Sequence, residues 1–222
     1  EINLNIASKK PDFFENRYFS NNFQWHNDFN HKQSAKIKFL LNLSEWNLST
    51  RFNAGVINNH IYYDSLSVPV QHKNYVGVLS SSLEHRFTFG ILNNYLKATY
   101  QYVTDKEIIR LPEIAVFNSL YIEAFLFNVL TLQFGFDIFY SSPFETYLFN
   151  PAISQYYLQY GNKTGGKPIT DVFLNLKIKS AIIFVKYEHL NSLLEDEIYS
   201  PMVNYPMDAA AYKFGISWRF HD

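Results

Sequence analysis

From Ala209 to Asp222 the chain reads AAAYKFGISWRFHD, and its large apolar residues fall at every second position. Tyr212, Phe214, Ile216, Trp218 and Phe220 make one set, with Ala211, Lys213, Gly215, Ser217 and Arg219 between them. Side chains of an extended strand point alternately to opposite faces, so this stretch has one greasy face and one wet face. Its length suits a strand crossing a bilayer at a tilt, and it closes on an aromatic pair where an interfacial girdle would sit. A half-buried strand of a soluble protein has the same period. The remainder of the chain has to decide between the two.

It repeats the pattern. Ile2, Leu4 and Ile6 alternate with Asn3 and Asn5; Ala35, Ile37, Phe39, Leu41 and Leu43 with Lys36, Lys38 and Asn42; Leu48, Thr50, Phe52, Ala54 and Val56 with Ser49, Arg51, Asn53 and Gly55. Further strands are expected around Tyr75–Phe87, Leu96–Tyr102, Leu120–Leu126, Leu132–Tyr140, Val172–Ile178 and Ala181–Tyr187. Tyr18–Phe29, with Phe19, Phe23 and Trp25, alternates more weakly and is expected as a strand near the start. This makes about ten full strands, with Glu1–Ser8 a partial first one entered mid-alternation, as in a sequence continued upstream. All 8 prolines lie in connections, as they must if the strands are hydrogen-bonded on both sides, because proline has no N–H to give.

Composition narrows the class. The 222 residues carry a formal net charge of −1, so no basic surface argues for nucleic acid. Absence of cysteine removes disulfides, thiolate metal sites and cysteine nucleophiles together. No run of eighteen apolar residues is present and mean hydropathy is −0.17, which excludes a helical membrane protein. A transmembrane barrel passes that test, because every second residue can face a polar lumen. Aromatic residues, at 18%, are the currency of strands and of membrane interfaces.

Two features separate a membrane barrel from a soluble one. Connections alternate in length: Asn58–Asn74, Thr104–Ala115, Ser141–Thr170 and Asn191–Asp208 are long, while the turns near Ser44, Gly90, Asn128 and Lys179 are short. Outer-membrane barrels have this asymmetry, long outside and short on the periplasmic side. Charges also keep to one parity across many strands, but a lipocalin or sandwich would do the same with its wet face outside. Loop asymmetry and large outward aromatics favour the inverted arrangement. The lumen-lining candidates are then Arg51, Glu84, Arg86, Lys97, Glu123, Asp137, Lys177, Lys186, Glu188 and Lys213. Tyr121, Phe173 and Phe184 share their parity and would partly fill the lumen.

The segments Asn204–Asp222, Asn59–Asp64, Ile109-Arg110-Leu111-Pro112 and Phe149-Asn150-Pro151-Ala152 resemble the Bacteroidota putative porin family over most of the chain. That resemblance implies an antiparallel transmembrane β-barrel in the bacterial outer membrane. It also implies a C-terminal signal for the barrel-insertion machinery, carried by Tyr212, Phe214, Ile216, Trp218 and Phe220. A common form of that signal ends on the aromatic, whereas His221 and Asp222 follow here. Family members are generally longer, which makes this chain look like the C-terminal portion of such a barrel.

Other chemistry is thin. The 7 histidines show no metal-binding spacing, and Glu84 and His85 fall on opposite faces of one strand. Asn162-Lys163-Thr164 fits a glycosylation sequon by chance, and the glycine-rich Gly161–Gly166 lacks the following helix of a phosphate loop. No catalytic residues, metal or cofactor are expected. The leading function is passive diffusion of small solutes through a polar lumen. Its alternative is a structural or accessory barrel whose lumen is plugged and which binds a partner protein or a second copy.

Overall fold

The computed structural model describes residues 1–193 and 205–220. Its organising element is a 10-stranded antiparallel sheet. The strands are β1 (Ile2–Lys9), β2 (Lys32–Leu43), β3 (Leu48–Asn58), β4 (Val76–Phe89), β5 (Leu92–Val103), β6 (Ile114–Leu126), β7 (Leu130–Ser141), β8 (Ile169–Ile178), β9 (Ala181–Glu188) and β10 (Ala211–Trp218). Each pairs with its neighbour in sequence, so the chain runs up and down across the sheet without a crossover. Short turns make this order possible at one end. Asn47 takes a left-handed conformation after Ser44–Trp46, Gly90 does so between β4 and β5, and Phe127 and Asn128 both do so between β6 and β7. Lys179 closes the turn between β8 and β9 in the same way.

The register carries each parity across the sheet without a slip. Ile122 stands opposite Phe134, Phe134 opposite Leu174, Leu174 opposite Val185, and Val185 opposite Phe214. One residue along, Glu123, Gln133, Asn175, Phe184 and Gly215 form the matching row on the other face. A slip of one residue would send every side chain of a strand to the wrong face, so the alternation itself fixes this register. Two glycines let aromatic rings lie against the backbone. A Cβ on Gly135 would meet the Leu120 carbonyl and Tyr121 Cβ at 2.4 Å, and one on Gly215 would meet the Phe184 ring at 2.5 Å.

Two expectations about the start of the chain need correction. Tyr18–Phe29 is not a strand of the main sheet; Arg17–Phe19 and Gln24–His26 pair as a small hairpin inside the connection from β1 to β2. Phe19, Phe23 and Trp25 alternate because a short hairpin does so as well. Ile2–Lys9, by contrast, is a full strand paired with β2 along its length. The expected barrel is met as a ten-stranded antiparallel meander, but the sheet is not closed: among the described residues β1 pairs only with β2, and β10 only with β9.

The packed core lies outside the sheet. Trp25, Tyr63 and Ile153 are buried against one another, with Tyr18, Phe23 and Tyr157 packed around them. These residues come from the β1–β2, β3–β4 and β7–β8 connections, so loops distant in sequence meet in one layer at the long-loop end. Trp25 Nε1 donates to the Phe14 carbonyl at 2.8 Å, and the Tyr18 hydroxyl donates to the Ala152 carbonyl at 3.0 Å. The longest connection also has structure of its own, a hairpin of Phe144–Asn150 with Gln155–Thr164. Most of the connection Asn191–Asp208 lies outside the described residues, as do His221 and Asp222.

Candidate functional site

The two faces of the sheet differ in chemistry and share a lack of cover. On the apolar face Ile37, Phe39, Phe52, Leu79, Ile122, Phe134 and Phe136 are each more than a third exposed, and at the edge strand Phe214 reaches 84%. A monomer in water does not leave such a continuous apolar surface open, so this face is built to be covered by another apolar surface.

The polar face is organised by ion pairs that the register creates. Glu84 and Lys97 stand directly opposite on β4 and β5, their charged atoms 3.1 Å apart, and the Tyr95 hydroxyl donates to the same carboxylate at 3.4 Å. Arg86 lies over the Tyr95 ring. Across β7, β8 and β9, Lys186 reaches Asp171 at 2.8 Å and Asp137 at 3.6 Å. Lys213 binds Glu188 at 2.5 Å between β9 and β10. The Gln133 amide donates to Glu123 at 2.6 Å, and Asn175 donates to Gln133 at 3.2 Å. Neighbouring strands thus neutralise most carboxylates of this face, while Lys36, Lys38, Arg51 and Lys177 make no ion pair among the described residues. All ten lumen-lining candidates lie on this face. Asp171 and Tyr95 belong with them, and their parity alone was the available signal. Tyr121 and Phe173 face each other across Gly135, ring centres 6.1 Å apart, and narrow the same surface. Glu84 and His85 do point to opposite faces: Glu84 to Lys97, His85 to Phe87.

At the long-loop end the connecting segments fold over the polar face. Val76 and Val103, on the polar parity, are 0% and 4% exposed, whereas their neighbours Tyr75 and Tyr102, on the apolar parity, are 68% and 43% exposed. The layer is pinned by Arg110. Its guanidinium is buried, donates to the carbonyls of Thr146 and Gln159, lies 3.6 Å from Glu145, and packs over the rings of Tyr147 and Tyr160. Tyr147 donates its hydroxyl to the Ile108 carbonyl at 2.8 Å and accepts from Arg110 N. One cation therefore ties the β5–β6 connection to the β7–β8 hairpin. Lys32, at the start of β2, holds Glu15 of the β1–β2 connection at 2.8 Å, and His72 to Asp105 at 3.7 Å joins the β3–β4 and β5–β6 connections. Burial, with the positive charge of Lys32 beside it, holds the His60 imidazole below its ordinary pKa; burial pushes the Tyr63 phenol up to about 12.

A ten-stranded meander with an uncovered apolar face, an ion-paired polar face and loops massed at one end is the anatomy of a porin-type barrel. The family model described as Putative porin matches residues 1–222. The chain belongs to that family. No curated protein matches it. Within the porin frame the final strand acquires a meaning: Tyr212, Phe214, Ile216 and Trp218 all stand on the apolar face, and Phe220, just beyond β10, stacks on Trp218 with ring centres 5.1 Å apart. Two of the family-like segments also find their place. Arg110 of Ile109–Pro112 is the loop pin, and Ala152 of Phe149–Ala152 accepts the Tyr18 hydrogen bond that ties the hairpin to the first connection.

Proposed function

We propose that the chain forms a water-filled transmembrane barrel in the bacterial outer membrane and lets small solutes diffuse passively along its polar face. The observation that carries this reading is the opposition of two faces on one sheet, one apolar and uncovered, the other lined with ion pairs and amides. A sheet with this division, closed by pairing of its edges, has its apolar side toward lipid and its polar side toward water. Lumen charges then set the field that a solute meets. Tyr212, Phe214, Ile216, Trp218 and Phe220 are the insertion signal for the barrel-assembly machinery, and the loop motifs point to a Bacteroidota source. The role is transport without catalysis, metal or cofactor, with outer-membrane lipid as the constant partner.

A second reading has an observation of its own. The loop layer with its buried Trp25–Tyr63–Ile153 core covers the polar parity at one end, as a plug would. An accessory barrel that binds a partner protein or oligomerises through that layer would use it so. Conductance of the purified protein in planar lipid bilayers separates the two: stepwise, ohmic channels support diffusion, and folded, inserted protein without conductance supports the plugged barrel.

A further inference from the structure

We propose that the lumen prefers small anions, such as carboxylates and phosphates, and that Lys36, Lys38 and Arg51 are the residues that make it so. The inference rests on the diffusion reading above and names its substrate class.

The three cations form a stair of successive rows on the polar face. The row of Lys36 runs through Gly55 and Val78 to Val103, the row of Lys38 through Asn53 and Ser80 to Gln101, and the row of Arg51 through Ser82 to Thr99. Val103 is buried, so Lys36 stands at the level where the loop layer begins, and Lys38 and Arg51 follow beneath it. Rows on one face are two residues apart along a strand, about 7 Å. A solute that has passed the loops therefore meets positive charge at each of three consecutive steps.

Nothing in those rows cancels it. From β2 to β5 their other members are glycine, valine, leucine, serine, threonine, asparagine and glutamine. Asn53 donates to Ser80 at 3.0 Å and is occupied with it. Glu84, which Arg51 attracts from a distance, is already bound by Lys97. Glu113, whose carbonyl bonds to Gln101 N at the end of the Lys38 row, has its carboxylate on Lys106. Glu1 lines the same groove as Lys38 and Arg51, and it makes no ion pair with either. Lys97, Lys186 and Lys213 each sit beside a carboxylate; Lys36, Lys38 and Arg51 instead stand together on three successive rows with no ion pair among the described residues, exposed to the water that would fill the lumen. A one-signed stretch of low-dielectric wall concentrates the opposite ion, which is how rings of Lys or Arg select anions in pores.

The test is a reversal-potential measurement on the purified protein in planar bilayers, across a potassium chloride gradient. The chloride-to-potassium permeability ratio should exceed one. It should fall severalfold in the Lys36→Gln, Lys38→Gln, Arg51→Gln variant, and stay put in Lys179→Gln, a change in the turn between β8 and β9. Should the triple variant not insert, Lys38→Glu alone must lower the ratio. Channels with a ratio at or below one, or a ratio indifferent to these substitutions, overturn the anion preference and leave diffusion standing. Absence of any channel from the unaltered protein refutes diffusion itself, and the preference with it.

Discussion

A lysine placed at Phe134 should behave differently from one placed at Gln133, its neighbour in the chain. Phe134 is the fifth residue of β7 counted from the short turn, about 14 Å along the strand at 3.4 Å per residue. With a strand tilt near 40° this corresponds to about 10 Å of height, close to the middle of an apolar band roughly 25 Å tall. A lysine on the lipid face at that depth costs about 2–4 kcal/mol, between one and three powers of ten in the folding equilibrium. Its row neighbours Ile122 and Leu174 offer no polar partner. Gln133, by contrast, already donates to Glu123 at 2.6 Å, so a lysine there exchanges an amide–carboxylate bond for an ion pair facing water and should change stability by less than about 1 kcal/mol. Leu174→Lys and Asn175→Lys repeat the comparison on β8. Denaturant unfolding from lipid vesicles measures all four. Equal losses at both parities would refute the assignment of lipid and lumen faces.

Gly135→Ala must push β6 aside, because its Cβ would stand 2.4 Å from Leu120 O; a loss of about 1–3 kcal/mol is expected by the same unfolding assay, and a neutral result would mean the strands are not so close. Trypsin added to intact cells should reach the loop-end lysines Lys73, Lys163 or Lys167 but not Lys179; cleavage at Lys179 alone would invert the topology. Arg110→Ala should free the β7–β8 hairpin, seen as faster amide hydrogen exchange over residues 144–164, and unchanged protection would remove Arg110 as the pin. The lowered pKa of His60 means that unfolding of the loop layer takes up a proton, so its stability is full above about pH 6.5 and declines as pH falls below that value. Protection of the residue 61–71 amides, measured against their intrinsic exchange rates at each pH, should fall on acidification in the wild type and not in His60→Gln; an identical response in both would exclude His60.

Strands and their faces were legible because alternation is local: each of β2 to β10 could be read from residues adjacent in the chain. Tyr18–Phe29 misled for the opposite reason. Its aromatics follow a strand-like period, yet their partners Tyr63 and Ile153 lie far along the sequence, and only the folded loop layer brings them together. The candidate lumen residues were legible by parity, whereas their pairings were not. Glu84 meets Lys97 because a tight turn sets the register of β4 and β5, and Lys186 meets Asp171 across the tight turn from β8 to β9, but its reach to Asp137 on β7 crosses a long connection that no local pattern registers. Arg110 had no local signal beyond its family-like segment. Its burial depends on carbonyls of Thr146 and Gln159 supplied by another hairpin.

In the membrane, the polar face is expected to meet water and the apolar face to meet lipid. The chain contains no cysteine, so single cysteines can be introduced one at a time without background. Placed at 132 through 136 on β7 and 172 through 176 on β8, in protein reconstituted into lipid vesicles, they should alternate in reaction with a small charged membrane-impermeant thiol reagent. Gln133→Cys and Asn175→Cys are expected to label, and Phe134→Cys and Leu174→Cys to stay protected. Labelling at every position, or with the parity reversed, would contradict this assignment of faces.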